Sequence, residues 1–423
     1  MTNPKALEGV RVLDVTQFMA GPFCSVILAD LGADVIKIEP PGGESTRQMV
    51  AAVGSESPAF NAVNRGKRSV VLNLKLPAGR DAFVRMTRSI DIVIENNRPD
   101  VSGRGGLLVV ANQQGASATI LDASNLATVA TVPVGTGPHE VATSPDGRWA
   151  VVTNYGDQTA PGNTVSVIDL YDQSPHVVRT IDLGQYARPH GAVFVQQGTK
   201  LLVTSETSQK LLLIDFISGR VDTAMATNGK GSHMVTAQRD GRRAWTSNIT
   251  DGTVTEYDID TRTTKRTYYV APDDESISAT AGGIQLWVGS NTGNAVHVVN
   301  SADATILGTI RGFGRPYRVG VSRTGRSVAL VSDPDSNRVF IYDVGTRREL
   351  ARIDLAAQAG IGNPAAKSLP EGIAFDPIAD FAYVTLHGTN QVAAIDLRSQ
   401  KVAGFGSVGT GPDGIAWSPY IRR

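Results

Sequence analysis

One short pattern recurs seven times in the sequence: a strand-like segment that ends in Asp or Asn. The copies are SATILD, TVSVID, KLLLID, TVTEYD, AVHVVN, RVFIYD and QVAAID, ending at Asp122, Asp169, Asp215, Asp258, Asn300, Asp343 and Asp396. Successive anchors lie 47, 46, 43, 42, 43 and 53 residues apart. A regular period of this length indicates stacked structural repeats, each of which packs mainly against its neighbours.

Each period contains four short strand-like segments separated by turn residues, such as Pro145-Asp146-Gly147 and Arg239-Asp240-Gly241. Four strands per repeat is typical of a propeller blade. A single blade is apolar on both faces, so it becomes stable only when neighbours cover it. We therefore predict an all-β seven-bladed propeller over residues 107–423.

The two ends of the repeat region complement each other. The region begins in mid-blade with LLVVANQ at Leu107, without the innermost strand that precedes this element in the other repeats. It ends with the matching single strand PDGIAWSP, residues 412–419. We expect this strand to complete the first blade and close the ring. The longest spacing is explained by an insertion at 356–368, predicted to be an exposed loop.

The first hundred residues follow a different pattern. Strand-like VRVLDVT, DVIKIEP, SVVLNLK and DIVIENN alternate with helix-like AGPFCSVILADLGA and GRDAFVRMTRSI. Strands that alternate with helices predict a parallel, Rossmann-like α/β sheet. We therefore expect a truncated α/β unit at 1–101, a junction at 102–106 and the propeller after it.

Two family resemblances follow from these motifs. AVVTNYG at 150–156, followed by NTVSVIDL, resembles the YVTN β-propeller repeat. LEGVRVLDVTQFMAGPFCSVILADLGADVIKIEPPGGESTR, with NRGKRSVVLNLK and IENNRP, resembles the N-terminus of family III CoA-transferases, and this resemblance stops near Val101. Together they imply a propeller fused behind a transferase fragment.

The second resemblance implies an enzyme that uses a carboxylate nucleophile on a CoA thioester. In that family the catalytic Asp lies well beyond the first hundred residues, in sequence that this chain lacks, so we do not expect CoA transfer. Residual CoA binding remains an alternative, because segments resembling the CoA-contacting parts of the family persist at Gln17, Ala20, Leu72, Lys75 and Asn96. The Phe-Gly that usually follows this Asn is replaced by Asn97-Arg98.

The loops that lead into the innermost strands carry the candidate site of the propeller. The residue after the turn Pro, or its equivalent, is in blade order His139, His190, His233, Ser276, Tyr317, Glu371 and Asp413. Sevenfold geometry points these residues at one mouth of the central channel. The propeller resemblance implies the same location, since seven-bladed lactonases and an antibiotic-inactivating lyase place His and Glu there.

Several chemistries fit this set. His139, His190 and His233 could bind a divalent metal. Alternatively, one of these histidines could be a general base assisted by Glu371 or Asp413. The guanidinium groups of Arg188 and Arg315, just before the turn Pro, could hold an anion. The histidines could also simply cap turns. Residues outside this register are predicted to be surface or strand residues (His176, His297 and His387) or core (Trp149, Trp245, Trp287 and Trp417).

Composition narrows the function. Lys plus Arg and Asp plus Glu both number 40, so net charge gives no reason to expect nucleic acid as a partner. No apolar run is long enough to span a bilayer. Without a signal-like start the chain is expected in the cytoplasm, although related propellers are often exported. We predict a propeller that binds a small molecule or a protein; the alternatives are a lactonase- or lyase-like enzyme and a CoA-transferase-related protein.

Overall fold

A computed structural model describes residues 5–48, 57–74, 76–87, 89–95, 105–323, 326–355, 367–376 and 378–420. The chain divides into two compact units, Met1–Ser102 and Gly103–Arg423. The predicted fold class is confirmed, because the first unit holds a parallel four-stranded sheet and the second is a seven-bladed propeller.

The first unit is an α/β sheet in the order β3-β2-β1-β4. Its strands are β1 (Arg11–Asp14), β2 (Asp34–Glu39), β3 (Arg68–Val71) and β4 (Ile92–Ile94). Its helices are α1 (Ala20–Asp30), α2 (Pro58–Asn64) and α3 (Pro77–Thr87), with a 3-10 turn at Ser45–Gln48. Helix α2 was not expected from the sequence. It starts at a standard N-terminal cap, in which Ser57 Oγ accepts a hydrogen bond from the Phe60 N–H.

This unit has two small apolar cores, one on each face of the sheet. Val12 packs on one face and Leu13 on the other, since successive strand residues point to opposite sides. The outer side of α1 is exposed, and Phe23 and Ile27 are 57% and 44% accessible. Met19, Phe23, Ile27 and Leu31 follow at four-residue intervals, so they form one apolar stripe.

The propeller consists of seven four-stranded antiparallel blades. From the innermost strand outwards, blades 1 to 4 are β8 (Pro138–Thr143), β9 (Trp149–Gly156), β10 (Pro161–Asp169), β11 (Val177–Asp182); β12 (Pro189–Val195), β13 (Lys200–Ser205), β14 (Lys210–Asp215), β15 (Arg220–Ala226); β16 (Ser232–Ala237), β17 (Arg243–Asn248), β18 (Thr253–Asp258), β19 (Thr263–Tyr269); and β20 (Asp274–Ala279), β21 (Gln285–Ser290), β22 (Ala295–Asn300), β23 (Ile306–Arg311). In the same order, blades 5 to 7 are β24 (Arg318–Val321), β25 (Val328–Asp333), β26 (Arg338–Asp343), β27 (Glu349–Asp354); β28 (Pro370–Asp376), β29 (Phe381–Leu386), β30 (Gln391–Asp396), β31 (Lys401–Ser407); and β32 (Pro412–Ser418), β5 (Leu107–Asn112), β6 (Ser117–Asp122), β7 (Thr128–Pro133).

Blade 7 closes the ring by combining distant parts of the chain. Strand β32 pairs with β5, with Pro412 opposite Asn112 and Ser418 opposite Leu107. The indole Nε1 of Trp417 also donates to the Gly105 carbonyl at 2.9 Å. The closing strand therefore stabilises the ring through an ordinary antiparallel ladder and a side-chain bond.

The apolar core of the propeller lies between blades. Within the described residues there are seven apolar clusters, one at each junction of neighbouring blades. At the junction of blades 5 and 6, for example, Val328 and Leu330 pack with Ala382 and Val384. Trp245 and Trp287 are fully buried in such clusters, whereas Trp149 and Trp417 pack at their margins and are only partly buried.

The repeated Asp that ends each third strand forms a turn. In blade 7 the Oδ1 atom of Asp122 accepts from the Ser124 N–H at 2.8 Å, and in blade 5 Asp343 accepts from the Thr346 N–H at 2.6 Å. These are Asx-type turns, in which the carboxylate satisfies the backbone that reverses direction. The anchor pattern is therefore a folding signal.

Most of the predicted insertion loop, residues 356–366, lies outside the described residues. Among the helices that the structure describes, none combines the length and apolar character needed to cross a bilayer.

Candidate functional site

The mouth of the channel is lined in six blades by the second residue of the innermost strand, and in blade 5 by Tyr317, directly before β24. In most blades the first residue is Pro, placed opposite the last residue of the second strand, as Pro189 is opposite Ser205. In blade 4 this place is taken by Asp274, opposite Ser290. The next residue, Glu275, is therefore the mouth residue of blade 4. The sequence-based choice of Ser276 was one residue too far, because Asp replaces the expected Pro. We call the following set the mouth ring: His139, His190, His233, Glu275, Tyr317, Glu371 and Asp413.

A repeated hydroxyl bridge fixes the backbone of this ring. Thr204 in β13 accepts from the Gly191 N–H of its own blade and donates to the His233 carbonyl of the next, at 2.8 and 2.6 Å. The same donation to the following blade recurs from Thr153 to His190, Ser332 to Glu371 and Thr385 to Asp413. The Thr or Ser hydroxyl of the second strand thus holds four of the seven mouth residues in place from the neighbouring blade.

The three predicted histidines are brought together in consecutive blades. Ring centroids are 4.6 Å apart between His139 and His190, and 3.7 Å apart between His190 and His233. His139 has neighbours at both nitrogens: Nδ1 lies 2.8 Å from Asp413 Oδ2, and Nε2 lies 2.8 Å from Gln113 Nε2. Both nitrogens of His139 are therefore engaged within the protein.

His190 lies deepest of the three and is 2% exposed. Its Nδ1 atom is buried and has no hydrogen-bond partner among the described residues. Burial lowers the pKa of His190 well below its usual value, and the neighbouring His233 and His139 lower it further. The imidazole is therefore neutral, with a lone pair available for a proton or a metal ion.

His233 has the opposite charge state. Its Nε2 lies 3.0 Å from Glu275 Oε1 and its Nδ1 lies 3.4 Å from Glu206 Oε2. Burial alone would lower the pKa of His233, but the two carboxylates outweigh it and raise the pKa to about 9. The site therefore places a protonated imidazole directly beside a neutral one.

Glu206 follows the last residue of β13 and leans over the histidines. Its carboxylate accepts from the Tyr155 hydroxyl at 3.1 Å. Burial would raise the pKa of Glu206, but His233, Tyr155 and His139 together lower it by more. The carboxylate is therefore ionised, and its side chain remains 21% exposed, which leaves it accessible from the mouth.

Arg318 closes the floor of the site. This buried side chain from blade 5 donates to Glu275 of blade 4 at 2.7 Å and to Glu140 of blade 1. Its Nη2 atom also lies 3.7 Å from Asp413 Oδ1 in blade 7. One guanidinium thus joins three carboxylates from three blades across the channel.

Two of the carboxyl groups at the mouth are shifted towards the protonated form. Burial raises the pKa of Glu140, and the nearby Asp413 raises it further, although Arg318 opposes both effects. Burial likewise raises the pKa of Glu371, again with a contribution from Asp413. The mouth therefore contains more acidic groups than its cations neutralise.

Glu371 contacts His387, a residue that the sequence pattern did not assign to the mouth. His387 Nδ1 lies 3.1 Å from Glu371 Oε2, and this contact raises the pKa of His387. The prediction that His387 is a surface or strand residue outside the site was wrong. It directly follows β29, as Glu206 follows β13, and this position faces the mouth. His176 and His297 are away from the mouth, where they contact Asp172 and Thr309.

The two predicted arginines lie at the rim. Arg188 donates to the Asp157 carbonyl at 2.9 Å, and its guanidinium lies 4.8 Å from the ring centroid of Tyr155. Arg315 contacts Asp335 Oδ1 at 3.2 Å. Both guanidinium groups are thus held by local partners beside the mouth.

Five further mouth residues had not been identified from the sequence. They are Glu140, Glu206, Glu275, Arg318 and Tyr155. Glu206 directly follows the second strand of its blade, and Tyr155 takes the equivalent position near the end of β9, so an alignment of that position would have found both. Glu140 and Arg318 each lie one residue beyond the mouth ring. In blade 1 a β-bulge between Pro138 and Val141 interrupts the regular alternation of side chains between the two faces of the sheet, so strand periodicity does not predict where Glu140 points.

The proposed CoA remnant is only partly described. Gln17 lies just after β1, Ala20 begins α1 and Leu72 directly follows β3. These positions share the carboxyl edge of the parallel sheet, where α/β proteins commonly bind ligands. Lys75 and Asn96 lie outside the described residues.

Fold and family comparisons define the chain as a propeller joined to a transferase-like unit. Residues 7–110 match the family model of CoA-transferase family III. This segment is 50% identical over 106 residues to acetyl-CoA:oxalate CoA-transferase of Acetobacter aceti, covering 25% of this chain and 27% of that protein. It is 43% identical over 109 residues to succinyl-CoA:glutarate CoA-transferase of Homo sapiens, covering 25% of each. The chain thus spans about a quarter of the length of these relatives.

Solved structures support the propeller. Hydrazine synthase of Kuenenia stuttgartiensis aligns with a TM-score of 0.55 and 16% identity, over 68% of this chain and 92% of that chain. A functionally unknown protein from Desulfotomaculum acetoxidans aligns with a TM-score of 0.62 and 14% identity, over 74% of this chain and 99% of that chain. At this identity the likeness concerns the fold alone.

Proposed function

We propose that the propeller is a binding protein whose channel mouth takes a small, positively charged ligand. The observation that carries this proposal is the convergence of five carboxyl groups at the mouth, three of which lie within 4 Å of the buried guanidinium of Arg318. These groups are Glu140, Glu206, Glu275, Glu371 and Asp413.

Electrostatics supports a cation. Burial and the neighbouring Asp413 both raise the pKa of Glu140 and Glu371, so further negative charge is disfavoured in the mouth. A cationic ligand would relieve this repulsion and favour the ionised form of both groups. An anion would instead have to overcome it, because Arg318 is already bound to carboxylates.

We assign no transfer reaction to the first unit. It corresponds to about a quarter of the transferases it resembles, and the resemblance implies that the catalytic Asp of that family belongs to a region beyond the match. Binding therefore resides in the propeller in this proposal.

The test compares ligands of opposite charge. We expect spermidine, choline or divalent metal ions to raise the melting temperature, and phosphate or citrate to leave it unchanged. Glu371→Gln replaces one mouth carboxyl group by an amide that cannot ionise, and should weaken the shift. The matched control is Glu349→Gln, which changes an outer-strand carboxylate paired with Arg352. Stabilisation by anions alone would contradict the proposal.

A second candidate is a lactonase- or lyase-like enzyme. It is favoured by the neutral His190 lying beside the protonated His233, because a base and an acid with separated pKa values suit proton transfer. A panel of γ- and δ-lactones tests it: hydrolysis should be lost in His190→Gln and retained in His297→Gln, whose histidine lies away from the mouth. Equal rates in these two variants would exclude this candidate.

A further inference from the structure

We propose that the mouth binds one divalent transition-metal ion through His190, Glu206 and His233. This inference rests on the proposed cation-binding function and specifies the ligand and its site. The remaining coordination positions would be filled by water or by a molecule that enters the channel.

The geometry of the three side chains supports a common ion. One ligand atom from each lies within 4.8 Å of the others. Two imidazole nitrogens and one carboxylate oxygen form a donor set that suits Zn²⁺ and other first-row divalent ions. The hard ions Mg²⁺ and Ca²⁺ prefer oxygen ligands, so this set disfavours them.

The buried atom of His190 is an independent observation. Its Nδ1 atom has no hydrogen-bond partner among the described residues, although only 2% of the residue is exposed to solvent. A buried polar atom without a partner costs free energy, and such atoms in proteins commonly bind a ligand, an ion or a water molecule. The His190 ring also lies against His233, at 3.7 Å between centroids.

Neighbouring groups already orient the other two ligands. Glu275 contacts His233 at Nε2, which leaves Nδ1 directed towards Glu206, and an ion bound at Nδ1 would release the proton from that nitrogen to solvent. A carboxylate on the far nitrogen is the usual outer contact of a metal-binding histidine. Tyr155 donates to Glu206 and fixes that carboxylate in the same way.

His139 is excluded from this ligand set, which therefore differs from the three histidines favoured by the sequence. Asp413 and Gln113 lie 2.8 Å from its two nitrogens, so neither nitrogen is available to an ion. Glu206 replaces it as the third ligand. The partial exposure of Glu206 also provides the route by which an ion enters from the mouth.

Titration of the full chain with Co²⁺ and Zn²⁺ tests the proposal. We expect one equivalent of Co²⁺ to bind with a visible ligand-field spectrum, and Zn²⁺ to displace it. Glu206→Gln and His190→Ala should each weaken binding by roughly 100-fold or more, since outer-contact changes alone cost about 10–100-fold. His297→Ala is the matched control, because this histidine lies away from the mouth beside Thr309, and the variant should bind as the wild type does.

The outcomes separate the two proposals. Equal Co²⁺ binding by the wild type and Glu206→Gln would overturn the ligand set. Because Glu206 is partly exposed and Gln has nearly the same shape, this variant should fold even if His190→Ala does not. Stabilisation by spermidine or choline without stoichiometric metal binding would overturn the metal site and retain the cationic ligand. Failure of both metal ions and organic cations would overturn both proposals.

Discussion

Arg318 on blade 5 donates a hydrogen bond to Glu140 on blade 1, so one ion pair joins strands from opposite sides of the channel. Both side chains are buried, and Glu275 and Asp413 complete the group. This arrangement turns the mouth into a pocket with a charged floor. It also makes the stability of the ring depend on a single guanidinium.

Replacing Arg318 with Met should therefore destabilise the propeller strongly. The change leaves Glu140 buried without its cation and removes one of the two cations beside Glu275, and breaking a buried ion pair in this way costs about 3–5 kcal/mol. Urea unfolding followed by tryptophan fluorescence measures the loss. A compensating Glu140→Gln in the same chain should recover part of the lost stability. The control is Arg352→Met on an outer strand, which should cost only about 0–1 kcal/mol because surface ion pairs contribute little. A similar loss in both arginine variants would contradict this account.

The His233–Glu275 pair predicts a bounded pH range of stability for the metal-free protein. The pKa of His233 is raised from 6.5 to about 9, so its contribution is complete below pH 6.5 and is lost as the pH rises through 9. The pKa of Glu275 is lowered from 4.5 to about 2, so its contribution is complete above pH 4.5 and is lost as the pH falls through 2. Melting temperatures from about pH 2 to 10 should show both limits, and Glu275→Gln should weaken both. An unchanged upper limit in Glu275→Gln would show that this pair does not set it.

Asp274 predicts a pH effect on stability from burial alone. This side chain is fully buried, has no cationic partner among the described residues, and burial raises its pKa from 3.8 to about 8. Folding then favours the protonated acid, so the stability from this group falls between about pH 4 and 8 by up to about 1.4 kcal/mol per pH unit. Asp274→Asn should remove that slope and raise the melting temperature at the upper end of this range. Asp303→Asn, at an exposed turn, serves as the control; a destabilised Asp274→Asn at the same pH would refute the prediction.

The hydroxyl bridge of Thr204 predicts that one substitution lowers both the stability of the propeller and its affinity for a ligand. Thr204→Val removes the bonds to Gly191 and His233 while keeping the shape of the side chain, and should cost about 1–3 kcal/mol because buried polar groups lose their partners. It should also weaken ligand binding, since His233 is no longer held in place. Thr309→Val on the outer strand β23 should leave both properties unchanged. Calorimetry on the three proteins measures both effects, and equal binding by the wild type and Thr204→Val would argue against the link.

The propeller should not need the first unit to fold. Its ring closes through β32 and β5, so deletion of residues 1–103 removes no strand of any blade. We expect the shortened protein to keep the melting temperature of the propeller and to bind less of the apolar dye ANS, because the α1 stripe of Met19, Phe23, Ile27 and Leu31 is gone. Collapse of the shortened protein would show that the first unit is required.

The fold was predictable because local rules repeat. Alternation of apolar and polar residues, turn residues and an Asp or Asn anchor recur in every blade, and each copy reinforces the same period. The positions of His139, His190 and His233 followed from that period. Glu275 did not, because Asp274 replaces Pro at the reference position and shifts the apparent register by one.

The rest of the site depends on contacts that no local pattern encodes. The partners of Arg318 lie 43 and 178 residues away in the sequence, and ring geometry alone brings them together. His387 and Glu206 face the same mouth but follow the second strands of their blades. The loops before the innermost strands, which carry the predicted residues, therefore do not reveal them.

Strand β32 supplies Asp413 to the mouth, where it contacts His139 and lies near Arg318. It is also the strand that closes the ring against β5. During synthesis the other six mouth residues leave the ribosome before it does, so a half-made chain carries histidines but no finished pocket. Assembly of the pocket and closure of the circle are consequently one event. A ligand that contacts the complete mouth ring therefore also stabilises the last strand in its place.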